Sequence, residues 1–132
     1  MFMRQTQFAH YTLNYHFVWS PKYRRKVLTG KIAERLREII EDIAGQTGFD
    51  VISLDIQPDH IHLFISCPPK YSPAHLINAI KGASSRRLRN EFPELKQAVH
   101  KDRLWTRTYY VGTAGHVSSE TIKRYIEECQ GT

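Results

Sequence analysis

The stretch Pro58-Asp59-His60-Ile61-His62-Leu63-Phe64-Ile65-Ser66 sets the reading of the whole chain. In a β-strand, residues i and i+2 project to the same face. His60 and His62 therefore point together to one side, and Ile61, Leu63 and Ile65 point to the other, toward a core. The preceding Asp50–Gln57 (DVISLDIQ) reads as another strand. Pro58-Asp59 is a tight turn, so the two strands are expected to form a hairpin.

Upstream, residues 1–12 carry little pattern and read as a loose arm. Leu13 to Ser20 alternates, with Leu13, Tyr15, Phe17 and Trp19 on one face, and reads as a strand. From about Thr29 to Thr47 the spacing becomes helical. Ile32, Leu36, Ile39, Ile40 and Ile43 form one stripe, and Gly48 stands where a C-cap is expected. Downstream, Pro68 to Pro73 is a stiff loop. A second helix follows from about Ala74 to Phe92, with Ile77, Ile80, Ser84 and Leu88 on its inner line, and Pro93 closes it. Residues 94–103 read as loop, Leu104 to Val111 as a fourth strand, and Gly112 to Gly115 as a turn. A last helix, within 116–130, has Ser118 at its N-cap and Val117 with Ile122 as a hydrophobic staple. The order β-α-β-β-α-β plus a C-terminal helix predicts one α+β domain over residues 1–132. It is the ferredoxin-like split β-α-β, an antiparallel sheet with both helices on one face. His60 and His62 are then expected on the free face.

At 132 residues with 41% hydrophobic content, the chain is sized for one domain with a real core. Its formal net charge of +6 favours a polyanionic partner, nucleic acid before an anionic membrane surface. No apolar run approaches the roughly 20 residues of a membrane span, and the N-terminus lacks the apolar core of a signal peptide. Cys67 and Cys129 make no disulfide framework, so a cytoplasmic, reduced protein with no membrane partner is expected.

Two imidazoles side by side on a rigid strand are a start on a metal site, though a divalent ion wants more ligands than two. A solvated pair on a polar strand face is the plain alternative. No Gly-rich phosphate loop, Walker lysine, G-x-S-x-G elbow, HExxH or Cys-x-x-Cys pair is present. Cys67 points away from the histidines by parity. Tyrosine remains as a nucleophile. Tyr125 lies in Thr121-Ile122-Lys123-Arg124-Tyr125-Ile126-Glu127-Glu128-Cys129-Gln130, beside two cations. A phenol with a pKa near ~10 needs neighbouring positive charge to act near neutral pH. The plain alternative is an amphipathic residue at the core edge. Lys22, Arg24, Arg25 and Lys26 follow the first strand, and Lys81, Arg86, Arg87 and Arg89 line the second helix. Both groups suit backbone phosphates, and both could be merely solvated. Tyr23, Trp105, Tyr109 and Tyr110 are candidates for stacking on bases, with core packing the commoner fate of any one of them.

Four ordered segments carry a resemblance. They are Pro58-Asp59-His60-Ile61-His62-Leu63-Phe64, Lys81-Gly82-Ala83-Ser84-Ser85-Arg86, Leu104-Trp105 and Tyr125-Ile126-Glu127-Glu128. The opening Asn14-Tyr15-His16-Phe17-Val18-Trp19 is similar too. Over residues 10 to 130 the chain resembles the single-tyrosine HUH transposases of the IS-two-hundred/six-hundred-five type. The resemblance implies that His60 and His62 hold a divalent ion, Mg2+ or Mn2+, and that Tyr125 is the nucleophile. It implies cleavage and rejoining of single-stranded DNA at insertion-element ends, through a 5′-phosphotyrosine link and without an energy cofactor. It also implies recognition of hairpin ends, and a homodimer in which one chain's histidines meet the other's tyrosine helix. Given the two-ended excision that the resemblance implies, one tyrosine per chain makes a dimer the economical solution.

The chain departs from the family at one place. The family's glutamine, one turn after the tyrosine, completes the metal site, but here that position is Cys129. Gln130 follows, rotated from the face of Tyr125 by roughly 140° in an ideal helix. A thiolate matches magnesium poorly. Gln130 reaching in from a loosened helix end is the expected third ligand, with Glu128 or water as alternatives. The departure also keeps two other functions open, a non-catalytic nucleic-acid-binding module and a domesticated HUH nickase relative.

Overall fold

The expected hairpin forms the middle of the protein. The computed structural model describes residues 4–5, 10–11, 13–98 and 103–113. Two short strands, β1 (Arg4–Gln5) and β2 (His10–Tyr11), pair antiparallel in a small ladder of their own, in the segment expected to be a loose arm. The main elements follow as β3 (Asn14–Trp19), α1 (Gly30–Thr47), β4 (Asp50–Gln57), β5 (His60–Ser66), α2 (Pro73–Glu91), the single-turn α3 (Leu95–Ala98) and β6 (Tyr110–Thr113). The four-stranded sheet runs β4-β5-β3-β6, and every neighbouring pair is antiparallel. This is the split β-α-β arrangement, with β5 inserted between the strands that α1 connects. The C-terminal helix expected within 116–130 lies outside the described residues.

One face of the sheet meets the helices. Phe17 and Trp19 of β3 and Ile61, Leu63 and Ile65 of β5 are buried there. They join Leu36, Ile39, Ile40 and Ile43 of α1 and Leu76, Ile77, Ile80 and Leu88 of α2. The stripes in the sequence thus form one apolar core. α1 ends as its sequence dictates: Gly48 takes the left-handed conformation at φ 95° and donates its N–H to the Ala44 carbonyl. α2 begins at Ser72, whose side chain accepts from the His75 N–H, with Pro73 in the first turn.

β4 needs one adjustment. Val51 and Leu54 both pack on the core, yet a spacing of three would put them on opposite faces of a regular strand. The pairing with β5 shifts between Val51 and Ser53, and this irregularity restores the parity. Leu54 and Ile56 then share the core face, while Asp55 and Gln57 lie opposite His62 and His60.

The fourth strand is shorter and later than expected. Leu104 and Trp105 do not continue into β6. Trp105 makes an isolated bridge with Pro21, Lys22 donates its N–H to the Leu104 carbonyl, and pairing with β3 involves only Tyr110–Thr113. Leu104 and Trp105 are both buried, which no regular half-buried strand allows for consecutive residues. Trp105 packs edge-on against Trp19, and its indole N–H donates to Ser84 Oγ at 3.0 Å. The hydroxyl in turn donates to the Ile80 carbonyl at 2.6 Å.

Candidate metal centre and nucleic-acid surface

His60 opens β5 immediately after the Pro58-Asp59 turn, and His62 follows on the same face. Their ring centroids are 5.1 Å apart, with the planes nearly perpendicular at 83°. The face is not open, as the sequence led us to expect. His62 is 0% exposed, and Asn14, His16, Phe64 and Ser66 beside it are buried as well. Polar letters on alternate positions here describe a second interior, not a solvated surface.

Each histidine is tied through its Nδ1. His60 Nδ1 donates to Asp59 Oδ1 at 2.8 Å, and Asp59 also pairs with Arg24 at 3.3 Å. The bond from His60 is the main reason that the Asp59 carboxyl stays below its ordinary pKa, with Arg24 helping against partial burial. His62 Nδ1 lies 3.2 Å from His16 Nε2. Both Nε2 atoms, of His60 and of His62, are buried without a hydrogen-bond partner. A buried imidazole with one nitrogen fixed and the other unsatisfied is the arrangement found at metal-ligating histidines, where the outer partner sets the tautomer. Among the described residues no group of three or more His, Cys, Asp or Glu side chains is disposed to hold a metal ion. The strand thus presents a pair and no more. Tyr125, Gln130 and their alternatives Glu128 and Cys129 lie outside the described residues.

The local environment disfavours the charged forms of His16 and His62. Burial first, then the nearby His62, lowers the pKa of His16 to about 4. Burial also lowers His62, with His60 acting in the same direction and Asp55 against it. Metal ligation needs neutral imidazoles, so both effects favour it.

His16 was not singled out as a functional residue from the sequence. The signal was present: on β3 it has the opposite parity to Phe17 and Trp19, and that parity points to the face of the two histidines. Its cross-strand partner is Phe64, so it stands diagonal to His62.

The basic residues divide in two. Arg25, Lys26 and Arg86 are exposed. Lys22 lies over the exposed ring of Tyr23 at 5.5 Å, and Arg24 is joined to Asp59, with Tyr23 and Arg24 both at positive φ. On α2 the helix surface is more committed than expected. Lys81 is turned back onto the loop after Trp105, where its Nζ donates to the carbonyls of Thr106 at 2.7 Å, Arg107 at 3.3 Å and Thr108 at 3.5 Å. Burial, and then Arg103, lowers its pKa. Arg87 pairs with Asp42 of α1 at 2.8 Å, and Arg89 donates to Ser85 Oγ at 3.2 Å. A cavity of about 390 Å³ opens between α2 and this loop, lined among others by Lys81, Arg89, Arg103 and Arg107. Of the aromatic candidates, Trp105 is core and Tyr109 packs against it, while Tyr23 is 68% and Tyr110 44% exposed.

Comparison with known proteins agrees with this fold. The model of the family described as "Transposase IS200 like" matches residues 9–129. The ISDra2 transposase TnpA of Deinococcus radiodurans is 39% identical over 117 residues, which cover 89% of this chain and 84% of that protein. The transposase for insertion sequence element IS200 of Salmonella typhimurium is 32% identical over 117 residues, covering 86% and 77%. A crystal structure from Deinococcus radiodurans R1, whose chain is assigned as a transposase, superposes with a TM-score of 0.79 at 36% identity, covering 96% of this chain and 97% of that one. A REP-associated tyrosine transposase, solved bound to a REP hairpin, shares the fold with a TM-score of 0.62 at 13% identity, covering 92% and 68%.

Proposed function

Because the chain belongs to the IS200-like, single-tyrosine HUH family of DNA transposases, we propose that it cuts and rejoins single-stranded DNA at insertion-element ends through a 5′-phosphotyrosine intermediate. His60, His62 and Gln130 hold a divalent ion, Mg2+ or Mn2+, and Tyr125 is the nucleophile. The observation that carries this reading is the pair of buried, unpartnered Nε2 atoms whose Nδ1 partners are already in place. When bound, the ion supplies positive charge to the scissile phosphate. The rest belongs to the chain. The Tyr125 Oη attacks phosphorus as its proton leaves, the P–O3′ bond breaks, and the departing oxygen takes up a proton to give a free 3′-OH. Lys123 and Arg124 stabilise the phenolate through their charge. A second 3′-OH then attacks the phosphotyrosine and releases Tyr125, so no bond energy is lost to water. Lys22, Arg24, Arg25, Lys81, Arg86, Arg87 and Arg89 were expected to meet DNA. Arg25 and Arg86, being exposed, are now the better candidates for phosphate contact, and Lys81 the poorest. The protein works as a homodimer on DNA with hairpin ends.

The test is incubation with single-stranded DNA carrying an end hairpin, with Mg2+ or Mn2+, followed by a denaturing gel. A protein–DNA adduct lost in Tyr125→Phe is expected. An adduct that survives Tyr125→Phe removes this tyrosine as the nucleophile, and the absence of any adduct with either metal favours a non-catalytic binding module.

A further inference from the structure

We propose that His16 is a positioning residue for the metal pair: its Nε2 accepts the hydrogen bond from His62 Nδ1–H and so locks His62 in the tautomer whose Nε2 lone pair faces a cation. The inference rests on the reading of His60 and His62 as metal ligands. The two nitrogens lie 3.2 Å apart in the buried layer. The two strands flanking β3 hold the His16 ring still. From β5, its cross-strand partner Phe64 stacks on it at 4.4 Å with planes 5° apart. From β6, Tyr110 meets it edge-on at 5.6 Å. Gly112, paired to His16 across the same ladder, has no side chain, and a Cβ there would lie 2.6 Å from the Tyr110 hydroxyl. The residue opposite His16 thus leaves the Tyr110 ring its place.

A hydrogen bond between two imidazoles has two directions. If His16 donated, His62 would keep its proton on Nε2 and could not ligate. If His62 donates, its Nε2 carries a lone pair, which is what a cation needs. The other ligand has the same construction with a different acceptor, since His60 donates its Nδ1–H to Asp59. The pair is therefore built with one charged and one neutral outer partner. The neutral one suits a site 0% exposed, where a second carboxylate would be costly to bury.

Two measurements on the full-length protein decide it. The first is Mn2+ affinity without DNA, from water-proton relaxation. His16→Phe keeps a flat ring and removes the acceptor, and is expected to weaken binding by about ten- to a hundredfold. His16→Gln keeps an acceptor at the reach of Nε2 and is expected to stay within about threefold of wild type. A His16→Phe protein that binds Mn2+ as well as wild type overturns the proposal. A wild-type protein with no Mn2+ affinity overturns the metal reading itself. The second is 15N spectroscopy of the imidazoles in the metal-free wild type, which stands even if a variant fails to fold. A proton on His62 Nδ1 supports the proposal, and a proton on Nε2 refutes it.

Discussion

Acid should unfold this protein in a pH range where carboxylates are still ionised, and His16 should be a main cause. Its imidazole is held down from 6.5 to about 4, by burial first and by His62 second. The folded state therefore refuses a proton that the unfolded chain accepts. Unfolding is favoured wherever the unfolded state binds more protons, so stability is intact above about pH 6.5 and falls as pH drops toward 4. The full difference amounts to about 3 kcal/mol, of which about 2 kcal/mol is already lost on going from about pH 7.5 to about pH 5. Against a total stability of about 5–15 kcal/mol that is a large share. The assay is urea unfolding in the presence of a chelator, at a series of pH values, for wild type and His16→Gln. The variant has no titrating group at that position, so its stability should fall by about 2 kcal/mol less over the same interval. Absolute stabilities can differ between the two proteins without affecting the comparison. Parallel curves for the two proteins would refute the reasoning, because the loss would then belong to other groups.

Ser84→Ala removes the oxygen that accepts from the Trp105 indole in a fully buried position, and should cost about 1–3 kcal/mol in urea unfolding at neutral pH. Lys81 and Arg86 should respond differently to removal, although both lie in one basic motif. Lys81→Met should release the 106–108 loop, read as faster amide exchange there, since its Nζ is donated to three carbonyls. Arg86→Ala should leave exchange alone and reduce the salt dependence of DNA affinity by about one phosphate contact.

Most of the scaffold was legible because the two periods are cleanly separated in this sequence. Ile61, Leu63 and Ile65 alternate without interruption, and Leu36, Ile39, Ile40 and Ile43 keep helical spacing. Both sets are buried where those periods place them. The segment from Leu104 to Tyr109 misled for a physical reason. Its large apolar residues are anchors of a loop folded into the core, and Trp105 satisfies its indole on Ser84 of a helix, not within a ladder. An anchored loop and a strand can carry the same letters. The free face misled in another way. Asn14, His16, His62 and Ser66 are polar, and a period of two assigns polar positions to solvent, whereas here they are buried. Period says which residues share a face and nothing about whether that face is covered. Only the pairing register, which sets His16 beside Phe64 and diagonal to His62, turns isolated polar letters into a network.

That covered face also explains why the site is built from so few charges. A carboxylate-rich site would hold a cation strongly but would be costly to bury on a sheet before the cation arrived. This chain puts two imidazoles there, with Asp59 at the hairpin turn where Arg24 can reach it and Asp55 across the ladder from His62. The remaining cost is two buried nitrogens without partners, of the order of 1–3 kcal/mol each. A cation held there would recover that cost. Among the described residues, the sheet thus stores part of its unsatisfied polar burial where a ligand would relieve it. His16 contributes by making sure that the unsatisfied atom is the Nε2 of His62.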